Sequence, residues 1–447
     1  MSIPSAAPHI TTPHPGPKSR AIIERVGKVE ARSGLTFGMS DAPVVLESAL
    51  GSVITDPDGN RFLDMVAGFG SLNLGHAHPE VAEAVSRQAA LGTQAMSFTA
   101  EVRVQLLERL VATQEAEYRA LLASSGSEAV ETALKLARRA TRKSGIIGFS
   151  GGFHGRTVGA LALMGRLGQR AGLGPLGQAV THLPYPDPFR SPLGDNPKSV
   201  ADGTLALLDH QLSDPASGWD DTAAVIIEPV QGNGGMIPAP SGFLTGLREV
   251  CHRHGVLLIV DEVMSGFHRT GALFAFEHDV DVRPDMIVLG KSLSAGLPLA
   301  GCLVTAEVAE GNPAGVETST YAGNLVSCAA SVAALDVYER EDMSVVAAMR
   351  AEHLMGTLDE TFSDHPSVGD IRGRGLMAAI ELVVDRETSE PLPIARQISN
   401  AATNRGLLVY PGGHHGNVLG FLPPLTTSDD ELSAAVSVLA ESVADVV

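Results

Sequence analysis

From Pro79 onward the sequence alternates short apolar runs with stretches of helical period, and no other feature restricts the fold as much. The apolar runs are Ala120-Leu-Leu-Ala123, Gly145-Ile-Ile-Gly-Phe149, Ala224-Val-Ile-Ile227, Val256-Leu-Leu-Ile-Val260, Met286-Ile-Val-Leu289 and Gly301-Cys-Leu-Val304. Val81–Leu91 and Glu101–Ala112 read as amphipathic helices. Ser241–His254 places Leu244, Leu247 and Cys251 on one helical face, with Gly255 as the stop. Strands that alternate with helices imply an α/β fold with a mainly parallel central sheet covered by helices. In such a fold ligands bind in the loops beyond the carboxyl ends of the strands.

Two of those strand ends carry unusual chemistry. The Met286–Leu289 run delivers Lys291 into a loop of glycines and small residues, and the Val256–Val260 run ends in Asp261. A lysine and an aspartate so placed suit pyridoxal phosphate: the amine forms a Schiff base and the carboxylate keeps the pyridine nitrogen protonated, so that the ring accepts electrons. Taken singly, each residue has a plainer explanation, a solvated lysine and a helix-capping aspartate. No GxGxxG is present, so a dinucleotide fold has little support.

Other strand-end loops add candidates. Ser124-Ser-Gly-Ser-Glu opens a helix, and the free amides and hydroxyls of Gly126 and Ser127 make a phosphate site there. A serine at that place is also the ordinary N-cap. Phe153 and Val263 are candidates for the two faces of the pyridine ring, with His154 beside them as an orienting or purely structural histidine. Glu228, after the Ala224–Ile227 run, either faces the pocket or belongs to a turn dictated by Pro229 and Gly232.

Composition narrows the partners. The formal charge of −19, from 51 acidic and 32 basic residues, with no basic run, excludes nucleic acid and anionic membranes as expected partners. No apolar run approaches membrane-span length. Three cysteines, Cys251, Cys302 and Cys328, cannot all pair and read as buried thiols of a cytoplasmic protein. His252, His254, His414 and His415 lack an accompanying ligand pattern, so no metal is expected. The expected organisation is a flexible tail (1–19), the N-terminal part of a small domain (20–68) with a turn at Asp56-Pro-Asp-Gly-Asn60, a large cofactor-binding domain (69–326) and a C-terminal small domain (327–447).

Taken in order, the motifs resemble one family. Asp58-Gly-Asn-Arg-Phe-Leu-Asp64, Gly75-His-Ala-His-Pro79, Ser125-Gly-Ser-Glu-Ala129, Phe153-His-Gly-Arg-Thr157 and Glu228-Pro-Val-Gln-Gly232 are followed by Asp261-Glu-Val263, Gly266-Phe-His-Arg-Thr-Gly271 and Lys291. Thr320-Tyr-Ala-Gly-Asn324, Arg372-Gly-Arg-Gly-Leu376 and Leu422-Pro-Pro-Leu425 complete the series. The chain is similar to the class III (ornithine/ω-amino acid type) pyridoxal-phosphate aminotransferases of fold type I, in which a small α/β domain is built from both termini. The resemblance implies that Lys291 holds the cofactor, that Asp261 binds its ring nitrogen and that Gly126 and Ser127 hold its phosphate. It also implies a homodimer in which Thr320 reaches the partner's cofactor. The substrates would be a small amine, diamine or amino acid and a keto acid or aldehyde.

The chain departs from that family at two places. Where many relatives have an arginine that forks the substrate's α-carboxylate and pairs with the glutamate matched by Glu228, this chain has Gly420. Loss of a charged fork, worth roughly 1.5–3 kcal/mol, weakens a dicarboxylate about tenfold or more. Arg405 or a histidine in Pro411–His415 is an expected substitute. Where relatives often have a glutamine on the cofactor's phenolic oxygen, this chain has Met264, which cannot donate that bond. A racemase, epimerase or aminomutase on the same scaffold is the alternative activity, because returning the proton to its original carbon needs the same lysine and aspartate.

Overall fold

The computed structural model describes residues 7–34, 40, 42–94, 96, 98–165, 167–177, 179–194 and 196–447. The chain divides into two compact units, one of Met1–His78 with Val345–Val447 and one of Pro79–Ser344. The helix Leu325–Arg340 packs against the helices Pro79–Leu91 and Glu101–Ala112 and so belongs with the larger unit.

The larger unit is built on a seven-stranded sheet. In chain order its strands are β1 (Tyr118–Ala123), β2 (Gly145–Phe149), β3 (Val180–Leu183), β4 (Thr222–Ile227), β5 (Leu257–Asp261), β6 (Met286–Leu289) and β7 (Ala300–Thr305). Across the sheet the order is β1-β7-β6-β5-β4-β2-β3. The neighbours from β3 through β6 are all parallel, and β7 runs antiparallel to both β6 and β1. The fold is the expected α/β type with a mainly parallel sheet and one reversed strand. That reversal follows from chain length: residues 290–299 are too few for the dozen-residue crossover that a parallel return requires.

Burial explains why these runs form strands. Every residue of β4 and β6 is buried, as a strand with helices over both faces must be. The helix Gly126–Thr141 turns Ala129, Val130, Ala133, Leu134, Leu136 and Ala137 inward, onto a cluster containing Ile226, Ile259, Val288 and Cys302. Full burial of a side chain such as Leu134 contributes about 1.5–3 kcal/mol. β3 is absent from the sequence expectation, and its Val-Thr-His-Leu alternation is that of a half-covered edge strand.

Register sets the chemistry. Val260 lies opposite Ile227, and Asp261 opposite Val288. Glu228 follows β4 directly, Asp261 closes β5 and Lys291 comes two residues after β6. Three ionisable residues therefore emerge at one carboxyl edge of the sheet.

The smaller unit holds two four-stranded sheets. One joins Ser48–Leu50, Val53–Thr55 and Arg61–Asp64 to Leu407–Leu408, so both ends of the chain contribute to it. The other consists of Val368–Arg374, Met377–Leu382, Val418–Phe421 and Tyr410–Gly412. The turn at 56–60 forms as expected: Asp56 Oδ1 accepts from the amides of Asp58 and Asn60 at 2.9 and 2.8 Å, and Gly59 takes a φ of 89°.

Of the segment expected as a free tail, residues 1–6 lie outside the described residues, and the remainder is packed rather than free. His9 exchanges backbone hydrogen bonds with Arg61, and Asn60 Oδ1 accepts from the amides of Thr11 and Thr12 at 2.8 and 3.0 Å. The helix Pro17–Val29 follows, with Asp58 accepting from the amides of Lys18 and Ser19. Backbone and amide bonds hold this segment, and they leave no apolar stripe in the sequence. Among the described residues, no helix is long and apolar enough to cross a membrane.

Candidate active site

Lys291 stands on a backbone that few lysines adopt. Gly290 is extended, and Lys291 itself has a φ of 46°, in the left-handed region, where it opens the short turn Lys291–Ser294. Asp261 is held on both oxygens. Its Oδ2 lies 2.7 Å from His154 Nδ1, and its Oδ1 accepts from the amide of Val263 at 3.0 Å. The His154 and Asp261 side chains are 1% and 4% exposed, so this pair is removed from water.

The loop after β2 is anchored a second time. Glu228 is buried, and its Oε2 accepts from the Phe153 amide at 2.9 Å, while its Oε1 accepts from the Gly232 amide at 3.3 Å. Two residues of this loop, Phe153 and His154, are thus tied to the ends of β4 and β5.

The third component is a helix start. Ser125 is the N-cap of Gly126–Thr141 and accepts from the Glu128 amide at 3.3 Å. Gly126 and Ser127 occupy the first turn, whose amides have no carbonyl partner within the helix and carry the positive end of its dipole. The two glycines here leave little or no room for a side chain. A Cβ on Gly126 would lie 3.0 Å from Val263 Cγ1, and one on Gly155 would lie 2.1 Å from Ser127 Oγ.

These elements enclose a cavity of about 200 Å³, lined by eight of the nine residues expected from sequence: Gly126, Ser127, Phe153, His154, Glu228, Asp261, Val263 and Lys291. Gly155, Asn233 and Met264 line it as well. Gly155 and Asn233 are missed by sequence reasoning, since a glycine beside a histidine and an asparagine in a glycine-rich turn carry no signal of their own. Thr320 does not line this cavity; it is exposed, and its carbonyl accepts from Gln94 Nε2 at 2.9 Å.

Burial and charge act together on the ionisable groups. Burial pushes the Lys291 amine down to about 8; the Arg269 cation adds to this, and Asp261 and Glu228 oppose it. Burial pushes Glu228 up to about 7, with Asp261 adding to the effect and His154 and the two amides opposing it. Burial disfavours a charged His154, but the hydrogen bond and charge of Asp261, with Glu228 behind, hold its pKa above the ordinary imidazole value. The cavity thus combines a weakened amine base, an imidazole–carboxylate pair, a buried acid and a row of helix-start amides. That donor set fits a flat aromatic aldehyde that bears a phosphate and a ring nitrogen.

Of the expected substitutes for the missing arginine, Arg405 makes ion pairs and His414 and His415 are exposed. Arg405 pairs with Glu441 at 3.6 Å and with Asp445, all within the smaller unit. Gly420 lies in the strand Val418–Phe421, opposite Ala379 and Tyr410.

The family model "Aminotransferase class-III" matches residues 37–443. The chain is 37% identical over 412 residues to the diaminobutyrate–2-oxoglutarate aminotransferase of Rhizobium meliloti, spanning 89% of this chain and 87% of that one. It is 33% identical over 447 residues to the alanine/serine racemase of Pyrococcus horikoshii, spanning 98% and 93%. Among solved structures, an amine transaminase from an uncultivated Pseudomonas species, in its pyridoxal-phosphate-bound form, superimposes with a TM-score of 0.86 at 34% identity, covering 93% of this chain and 98% of that one.

Proposed function

The chain belongs to the class III aminotransferases, enzymes that use pyridoxal phosphate, and we propose that it does so with Lys291 as its reactive amine. It moves an amino group from an amine, diamine or amino acid donor to a keto acid or aldehyde acceptor. The observation that carries the reading is the convergence of Lys291, the Asp261–His154 pair and the Gly126–Ser127 amides on one cavity.

When bound, pyridoxal phosphate supplies an electron sink for the carbon that carries the amino group. Gly126 and Ser127 would hold its phosphate, Phe153 and Val263 its two ring faces, Asp261 its ring nitrogen and Lys291 its aldehyde carbon. Lys291 Nζ takes the proton from the substrate carbon. With a pKa of about 8, about one amine in ten is neutral at pH 7, against about one in three thousand at the ordinary value of 10.5. His154 orients Asp261 by taking one carboxylate oxygen, and the Val263 amide takes the other. Glu228 fixes the loop that carries both Phe153 and His154.

Gly420 in place of an arginine, together with a Glu228 that makes no salt bridge to a lysine or arginine among the described residues, supports a donor whose recognition does not depend on an α-carboxylate clamp. The exposure of Thr320 and Tyr321 supports a symmetric homodimer in which Thr320 completes the phosphate site of the second copy. Three buried free thiols support a cytoplasmic setting.

The experiment is transfer of ¹⁵N from a labelled donor to an unlabelled acceptor. Label in the acceptor-derived amine is the expected result. The racemase relative motivates a second reading, in which Lys291 returns the proton to the carbon it left. An enantiopure donor that loses optical purity while keeping all its ¹⁵N would establish that reading instead.

A further inference from the structure

The left-handed backbone at Lys291 is held in place from outside the cavity. After Lys291, at φ 46°, the turn runs through Ser292, Leu293 and Ser294 and ends at Ala295, again left-handed at φ 48°. A short turn between two left-handed residues with side chains does not persist on its own local preference. Within the turn, the Leu293 amide bonds to the Gly290 carbonyl at 3.0 Å and the Ala295 amide to the Ser292 carbonyl at 3.3 Å.

Two further bonds come from the single helix Leu325–Arg340. Tyr338 Oη donates to the Ser292 carbonyl at 3.0 Å, and Ser331 Oγ donates to the Leu293 carbonyl at 2.6 Å. Both donors are buried, at 1% and 0% exposure, so neither carbonyl has water as an alternative partner on that side. The Tyr338 ring is itself fixed, lying 6.3 Å from the Phe267 ring and 5.6 Å from that of His268. Burial pushes the Tyr338 phenol well above its ordinary value, so the hydroxyl remains a donor at any working pH.

We propose that Tyr338 and Ser331 are positioning residues for Lys291: they grip the two carbonyls that follow it and hold the turn that keeps its amine on the cavity. Neither lines the cavity, so each acts through Lys291. The helix begins at the N-cap Asn324, four residues after Thr320, and one element therefore links the loop assigned to the partner's phosphate with the turn that carries the reactive amine. The inference rests on Lys291 as the reactive amine.

The test uses holoenzyme carrying Tyr338→Phe, Ser331→Ala or both; each change removes a hydroxyl and keeps most of the packing. Three quantities are read: thermal unfolding, the pH titration of the visible absorbance band of the bound cofactor, and kcat and KM separately. The expected result is at least a tenfold fall in kcat for the double variant, with KM within threefold of wild type. The midpoint of the absorbance titration should shift by at least half a pH unit. A wild-type midpoint and kcat in the double variant would overturn the proposal, as would a loss of kcat that follows melting temperature alone while the midpoint stays fixed. Borohydride reduction and peptide mapping on the same samples separate the two levels. If the labelled lysine is not Lys291 the functional reading fails, and if it is Lys291 but the midpoint does not move only the positioning role fails.

Discussion

Lys291→Met should make the cofactor-free protein more stable, and the gain should depend on pH. The amine's pKa falls from 10.5 to about 8 on folding, chiefly through burial. At 1.36 kcal/mol per pH unit, that is a folding cost on the order of 3 kcal/mol. Below pH 8 the amine is protonated in both the folded and the unfolded chain, so the whole cost is present. Between pH 8 and 10.5 the folded amine gives up its proton first, the unfolded chain binds more protons, and stability rises with pH. Methionine keeps the length of the side chain and removes the charge. Urea unfolding of the larger unit should therefore show the variant ahead by about 3 kcal/mol at pH 7 and by only about 1 kcal/mol at pH 10. Equal stability at pH 7 would refute the burial cost. A gain that does not change with pH would refute its electrostatic origin, because better packing alone has no pH dependence.

Three further substitutions probe the rest of the cavity. Asp261→Asn removes the group that holds His154 up, so burial should carry that imidazole below its ordinary value in an NMR titration, and amino transfer should slow at least about a hundredfold. Gly155→Ala places a side chain at φ 129° and drives its Cβ into Ser127 Oγ; titration of the cofactor-free protein with pyridoxal phosphate should show affinity reduced about tenfold or more, and wild-type affinity would contradict the phosphate assignment. Glu228 ionises near 7 when folded against 4.5 when unfolded, so the wild type should lose stability as pH rises from 4.5 to 7. Glu228→Gln should make that slope shallower, the remainder coming from Glu262, which burial also pushes up to about 7, and the pH profile of kcat/KM should lose its inflection near 7.

What is legible in the sequence is whatever local pattern can encode. The buried strands announce themselves as apolar runs, and a charged residue at the end of such a run is conspicuous, which is why Lys291, Asp261 and Glu228 stand out from the sequence alone. Parallel register then brings them to one edge. The partnerships are not legible. His154 and Asp261 are 107 residues apart, and nothing local distinguishes a histidine that grips a carboxylate from any other loop histidine. Tyr338 and Ser331 sit in an alanine-rich helix, and their donors matter only because of a turn some forty residues away. The edge strand β3 and the packed segment His9–Thr12 escape for a similar reason, since both are held by backbone hydrogen bonds rather than by an apolar stripe. Thr320 is a different case: one chain leaves it exposed, and in the proposed homodimer its partner would belong to a second copy.

Single-turnover absorbance of the holoenzyme, mixed with an amine donor and no acceptor, tests amino transfer at Lys291 most directly. The expected result is stoichiometric loss of the yellow band and gain of the aminated cofactor's near-ultraviolet band in the wild type, with no conversion in Lys291→Ala. A yellow band that persists in the wild type while the donor is consumed or racemised, or full conversion at wild-type rate in Lys291→Ala, would contradict it.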